Sequence, residues 1–90
     1  MGDVAAFTKP RGPGAEPPVD PREVAALLAR VGDRVRKARE HKGMPRRVLS
    51  EMSGVSMRYL AQLEGGEGNI SIGLLLRLAT ALETGIDRLV

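Results

Sequence analysis

From residue 20 onward, apolar side chains recur at steps of three and four. In DPREVAALLARVGDRVRKAREHKG, Val24, Leu27, Leu28, Val31, Val35 and Ala38 share one stripe of a helical wheel while the arginines point elsewhere. The spacing predicts an amphipathic helix. Asp20 suits its N-cap, Pro21 its first position, Glu23 a capping box, and Gly43 its end. Gly32 costs about 1 kcal/mol relative to alanine inside a helix, so a bend or a split is expected there.

A second, short helix is predicted in MPRRVLSEMSG, with Pro45 at its first helical position and Val48, Leu49 and Met52 on its buried face. Gly54 can take the left-handed conformation that ends it, Val55 can turn back into the core, and Ser56 can cap a third helix, MRYLAQLE. GGEGN reads as a loop. Ser71 then caps a fourth helix with Ile72, Leu75, Leu76, Ala79 and Leu82 inward, and TGIDRLV adds a final turn or short helix. The expected fold class is all-α: a compact bundle of about five helices, residues 20–90, with no strand and no repeat. Residues 1–19 hold most of the prolines without an apolar period and are expected to form a disordered tail.

Ninety residues allow one small domain. With no cysteine and one histidine, His41, no metal site is expected. Paired carboxylates, a nucleophile beside a base and a phosphate loop are all missing, which argues against an enzyme and against a cofactor. No apolar run is long enough to span a membrane and no signal peptide is visible, so the chain reads as cytoplasmic. The net charge of +3 hides an asymmetry. Arg30, Arg34, Arg36, Lys37, Arg39, Lys42, Arg46 and Arg47 are opposed in their stretch only by Asp33 and Glu40, whereas acids prevail after Tyr59. One side of the molecule is expected to suit a polyanion.

On the third helix, Leu60 and Leu63 fall together with Tyr59 beside them, and Met57, Arg58, Ala61 and Gln62 fall opposite. That outer arc offers a guanidinium, an amide, a thioether and a methyl, groups that suit guanine, adenine and the thymine methyl. Residues from about Val31 to Leu89 resemble the helix-turn-helix domain of the Cro and phage-repressor (XRE) type. The resemblance rests on Arg39, Leu49, Gly54 with Val55, Leu60, Leu63, Glu64 and the stretch SIGLLLRLATAL. It implies that the third helix enters the major groove of double-stranded DNA while the second crosses the backbone. It also implies an ion pair between Arg39 and Glu64. Met44, Arg46 and Ser50 depart from the family pattern, in place of a hydroxyl cap, a glutamine and a small alanine. More weakly, MRYLAQLEGGEGNISIGLLLRLATAL is similar to the N-terminal module of benzoate-degradation repressors, whose shikimate-kinase-like C-terminal effector domain this chain lacks. A module of a longer regulator and a complete small one are equally readable.

The expected base contacts are Ser56, Met57, Arg58, Ala61 and Gln62, and the expected phosphate contacts Arg46, Arg47, Tyr59 and Asn69. The function expected is a sequence-specific transcriptional regulator, a repressor in the leading reading, acting as a homodimer on its operator. The alternative is an antitoxin-like or other protein-interaction module using the same helical face. Two surfaces are candidates for pairing: Val24, Leu27, Leu28 and Val31, which otherwise fold back on the fourth helix, or Ile86, Leu89 and Val90.

Overall fold

The computed structural model describes residues 19–90, so almost all of the expected tail lies outside the described residues. Four helices and a terminal turn follow one another: α1 (Pro21–His41), α2 (Arg46–Ser53), α3 (Met57–Glu64), α4 (Ile72–Ala81) and a 3-10 turn at Ile86–Arg88. Among the described residues there is no strand, and no helix is long and apolar enough to cross a membrane.

Three of the four helices start on the expected side-chain caps. The Asp20 carboxylate accepts from the Arg22 N–H at 2.8 Å, Ser56 Oγ from the Tyr59 N–H at 3.1 Å, and Ser71 Oγ from the Leu74 N–H at 3.1 Å. Each cap satisfies a donor that the helix itself cannot pair and contributes about 1 kcal/mol. Gly54 takes a left-handed φ of +74° and ends α2. Val55 then turns into the core and Ser56 opens α3. This is why the helical pattern stops and restarts within three residues.

The core is the seam where α1 crosses α3 and α4 packs on α2. Val35, Leu49, Leu60, Leu63 and Leu78 are wholly enclosed there, and Leu89 closes the bottom from the terminal turn. Leu89 therefore belongs to the core and not to a free pairing surface; of the three C-terminal residues considered for pairing, only Val90 is exposed.

Several inward assignments are corrected by this packing. On α4, Leu75, Leu78, Ala79 and Leu82 face the core, whereas Ile72 and Leu76 point outward, 79% and 56% exposed. The apolar residues of α4 exceed one face, and the face set by α2 leaves the 72/76 edge uncovered. On α2, Leu49 is buried but Met52 is exposed, and Ser53 occupies the inner position instead. A buried serine is tolerated here because its hydroxyl donates to the Leu49 carbonyl at 2.6 Å and accepts from the Val55 N–H at 3.2 Å. On α1, Val31 and Val35 are buried, while Val24 and Leu27, farther up the helix, remain exposed.

Gly32 does not split α1, which runs unbroken through it. The glycine lies where α1 and α3 cross: a Cβ there would overlap the Leu63 carbonyl oxygen and press on its carbon at 3.1 Å. Close contact, not flexibility, explains the residue. Helix propensity alone would make Gly32→Ala stabilising by about 1 kcal/mol. The crossing makes it destabilising by about 1–3 kcal/mol instead, so the thermal unfolding midpoint followed by circular dichroism should fall by several degrees rather than rise.

Candidate nucleic-acid interface

The outer face of α3 is built by subtraction. Leu60 and Leu63 are drawn into the core, and Tyr59 is half-buried beside them. Ser56, Met57, Arg58, Ala61 and Gln62 are left together on the exposed side, as the wheel predicts. The Arg58 and Gln62 side chains make no hydrogen bond or ion pair among the described residues, so both heads are free to meet an external partner.

The amino terminus of α2 is tied to the end of α3 by Arg46 on Glu64. Its N-cap is Pro45, which supplies no side-chain acceptor. The backbone N–H groups of Arg46 and Arg47 carry no hydrogen bond, because the first donors paired at this end are Val48 and Leu49, both to the Pro45 carbonyl. Unpaired amides at the positive end of a helix, with two guanidinium groups beside them, form a site suited to an oxyanion.

The side chains expected to meet phosphate have unequal surroundings. Arg47 Nη1 pairs with Glu51 at 3.1 Å, one turn along α2, with both side chains 65% exposed. Such a solvated pair is worth little and is readily exchanged for another anion. Arg46 Nε donates to Glu64 at 3.0 Å, leaving the far edge of its guanidinium free. Asn69 is exposed in the loop before α4. The Tyr59 hydroxyl donates to the Asn69 carbonyl, which clamps that loop onto α3.

The Arg39–Glu64 pair is present and larger than a pair. Arg39 Nε and Nη2 meet the two Glu64 oxygens at 2.8 and 2.9 Å, a bidentate fork, while Arg39 Nη1 donates to the Met44 carbonyl at 2.9 Å. With Arg46 on the same carboxylate, one side chain that is 1% exposed gathers α1, the α1–α2 connection, α2 and α3. Burial by itself would raise the Glu64 pKa, but hydrogen bonds from Arg39 and Arg46 outweigh it and hold the carboxyl below its ordinary range. The same hydrogen bond raises the Arg39 pKa. The Met44 carbonyl and the third partner, Arg46, were not legible in the sequence. Neither was the tie from Lys42 Nζ to Glu83 at 2.7 Å, which joins the ends of α1 and α4.

The chain is similar to several known proteins. Residues 35–89 match the helix-turn-helix family model HTH_3. The chain belongs to this family. Over 66 residues, 72% of the chain, it is 38% identical to a Pyrococcus furiosus protein provisionally named an HTH-type transcriptional regulatory protein. Among solved structures it resembles the restriction-modification controller protein C.AhdI of Aeromonas hydrophila, with a TM-score of 0.70 and 35% identity, covering 72% of this chain and 98% of that one. It also shares the fold of an HTH_3 family transcriptional regulator from Vibrio cholerae, with a TM-score of 0.71 and 23% identity over 73% of this chain. The chain spans only 21% of the Pyrococcus protein and 37% of the Vibrio one. None of these matches supports the narrower resemblance to benzoate-degradation repressors.

The Glu64 cluster makes this HTH_3 domain acid-sensitive in a defined direction. A carboxyl whose pKa is lowered by folding contributes stability above its unfolded pKa and loses it as pH falls through its folded value. Stability should therefore decline below about pH 5. Glu64→Gln should lower stability by about 3 kcal/mol at neutral pH, since it leaves Arg39 without its counter-charge. The variant should also show a shallower acid limb in urea unfolding measured from pH 7 to pH 3; exposed acids such as Asp33 supply the remainder.

Proposed function

We propose that this domain binds double-stranded DNA sequence-specifically, with α3 in the major groove and the amino terminus of α2 against the phosphate backbone, and that it regulates transcription as a homodimer, most simply as a repressor. The observation that carries this reading is an exposed α3 face with free polar heads, held through Glu64 to an uncapped α2 end that carries Arg46 and Arg47. A short helix reads only about four or five base pairs, which is why two copies on half-sites about 10 base pairs apart are needed to define an operator.

The division of labour follows from the surroundings of each group. Arg58 and Gln62 read base edges, with Ser56, Met57 and Ala61 completing the contact surface. Arg47, the outer edge of Arg46, the α2 amides and Asn69 hold phosphates, which fixes register without selecting sequence. Arg46 has two tasks, because its Nε remains on Glu64.

Selection of bound duplexes from a random pool, followed by sequencing, tests the reading directly: a recovered motif with twofold symmetry is expected. Recovery of no motif, together with stoichiometric capture of an acidic protein by the same face, would overturn it in favour of a docking module. On the selected operator, Arg47→Ala should weaken all sequences alike and reduce the salt dependence of log affinity by about one unit of slope, with the melting temperature unchanged. Arg46→Ala should lower both affinity and melting temperature. Arg58→Ala and Gln62→Ala should each relax specificity at one base pair by about 1–3 kcal/mol. A uniform loss across sequences in all four variants would refute the separation of reading from positioning.

A further inference from the structure

The first three turns of α1 lie ahead of the family match, which begins at residue 35. The first two of these extend beyond the core, so the apolar stripe there is incompletely covered: Val24 and Leu27 are 42% and 41% exposed, and Leu28 is half-buried. This stripe is one wall of a groove of about 290 Å³, and Ile70, Ile72 and Val90 contribute to the opposite side. Ile72 and Val90 are themselves exposed. Large apolar residues from three separate segments therefore converge on one open surface, which isolated surface hydrophobics do not do.

The charges on α1 say what fits there. Glu23 and Arg30 are seven residues apart and flank the stripe on the same side, next to Leu27 on the wheel. Neither makes an ion pair among the described residues, unlike most charged residues farther along α1, such as Asp33, Arg36, Lys37 and Arg39. If a second α1 is laid antiparallel on the first with Val24 opposite Leu27 of the second copy, then Glu23 stands beside Arg30 of the second copy. The twofold axis repeats both contacts. A surface that is apolar along its centre and complementary in charge to itself when inverted is the signature of an isologous contact.

We propose that two copies of this chain pair through this groove, with the amino-terminal turns of α1 antiparallel and the Val24, Leu27 and Leu28 stripe of each covered by the other. This deepens the proposed function by naming the pairing surface of the dimer, and it places that surface in a segment outside the family match. The outer edge of α4 at Leu76 lies outside the groove and takes no part.

Sedimentation velocity over a concentration series, with and without a duplex carrying two half-sites, tests the pairing. The wild-type chain should associate, and Leu27→Asp should be monomeric with unchanged helix content, whereas Leu76→Asp should pair as wild type does. Glu23→Arg and Arg30→Glu should each weaken pairing about tenfold or more, by setting like charges opposite one another. An equimolar mixture of these two variants should form a heterodimer, and the double variant should recover pairing. Because the double variant keeps the same altered charge in the first turn of α1 as Glu23→Arg, its recovery cannot come from helix stability. A wild-type chain that stays monomeric both alone and on the duplex, a Leu27→Asp chain that pairs normally, or a double variant no better than the singles overturns the proposal. Binding of Leu27→Asp to a duplex with a single half-site separates the two readings. Retained binding with lost pairing upholds both, whereas a wild-type chain that pairs but binds no duplex removes the DNA reading and leaves the pairing surface standing.

Discussion

The position of α3 depends on one carboxylate. Glu64 ends the helix that presents Arg58 and Gln62, and its two oxygens receive Arg39 from α1 and Arg46 from the start of α2. A buried charge is costly when unpaired and costs less when oppositely charged donors meet both of its oxygens. Three charge-assisted hydrogen bonds meet that condition here. Because the donors come from different helices, any rotation of α3 away from α1 or α2 would strip the carboxylate of a partner. The cluster specifies orientation as much as it stabilises.

Around that tie, α3 is held by close contact rather than by bulk. Gly32 lets the backbone of α1 approach the Leu63 carbonyl of α3 more closely than any residue with a Cβ would allow. At the other end, the turn after α2 is held by the Ser53 hydroxyl, which satisfies one carbonyl and one amide at once, and the loop after α3 is pinned by the Tyr59 hydroxyl. An eight-residue helix has little stability of its own. Fixing both its ends and its inner face lets its outer face remain free of intramolecular contacts without losing its place.

The interface is accordingly divided into groups that are spoken for and groups that are not. Arg39 is consumed by structure, Arg46 is shared, and Arg47, Arg58 and Gln62 are exposed. Composition treats the basic residues as one population, yet only those left without a strong internal partner contribute an accessible field to a polyanion. The same distinction applies to apolar residues. Leu75 and Leu78 are core, while Ile72 and Leu76, on the same short helix, are surface.

The local signals in the sequence determined the helices, their caps at Asp20, Ser56 and Ser71, the left-handed stop at Gly54, and the sidedness of α3, because each depends on residues within one or two turns of one another. The candidate reading face was legible for that reason. The Arg39–Glu64 tie was legible only through family resemblance. What the tertiary structure alone decided was which of several adequate apolar faces is buried: Ser53 over Met52 on α2, Leu78 over Leu76 on α4, and the later over the earlier half of α1. It also decided that Gly32 is a point of contact and not a break, that Arg46 joins Glu64, and that Tyr59 clamps a loop. Each of these is a choice between positions that look equivalent along a single helix. They become unequal only when a second helix, brought by the chain from many residues away, covers one of them and leaves the other to water.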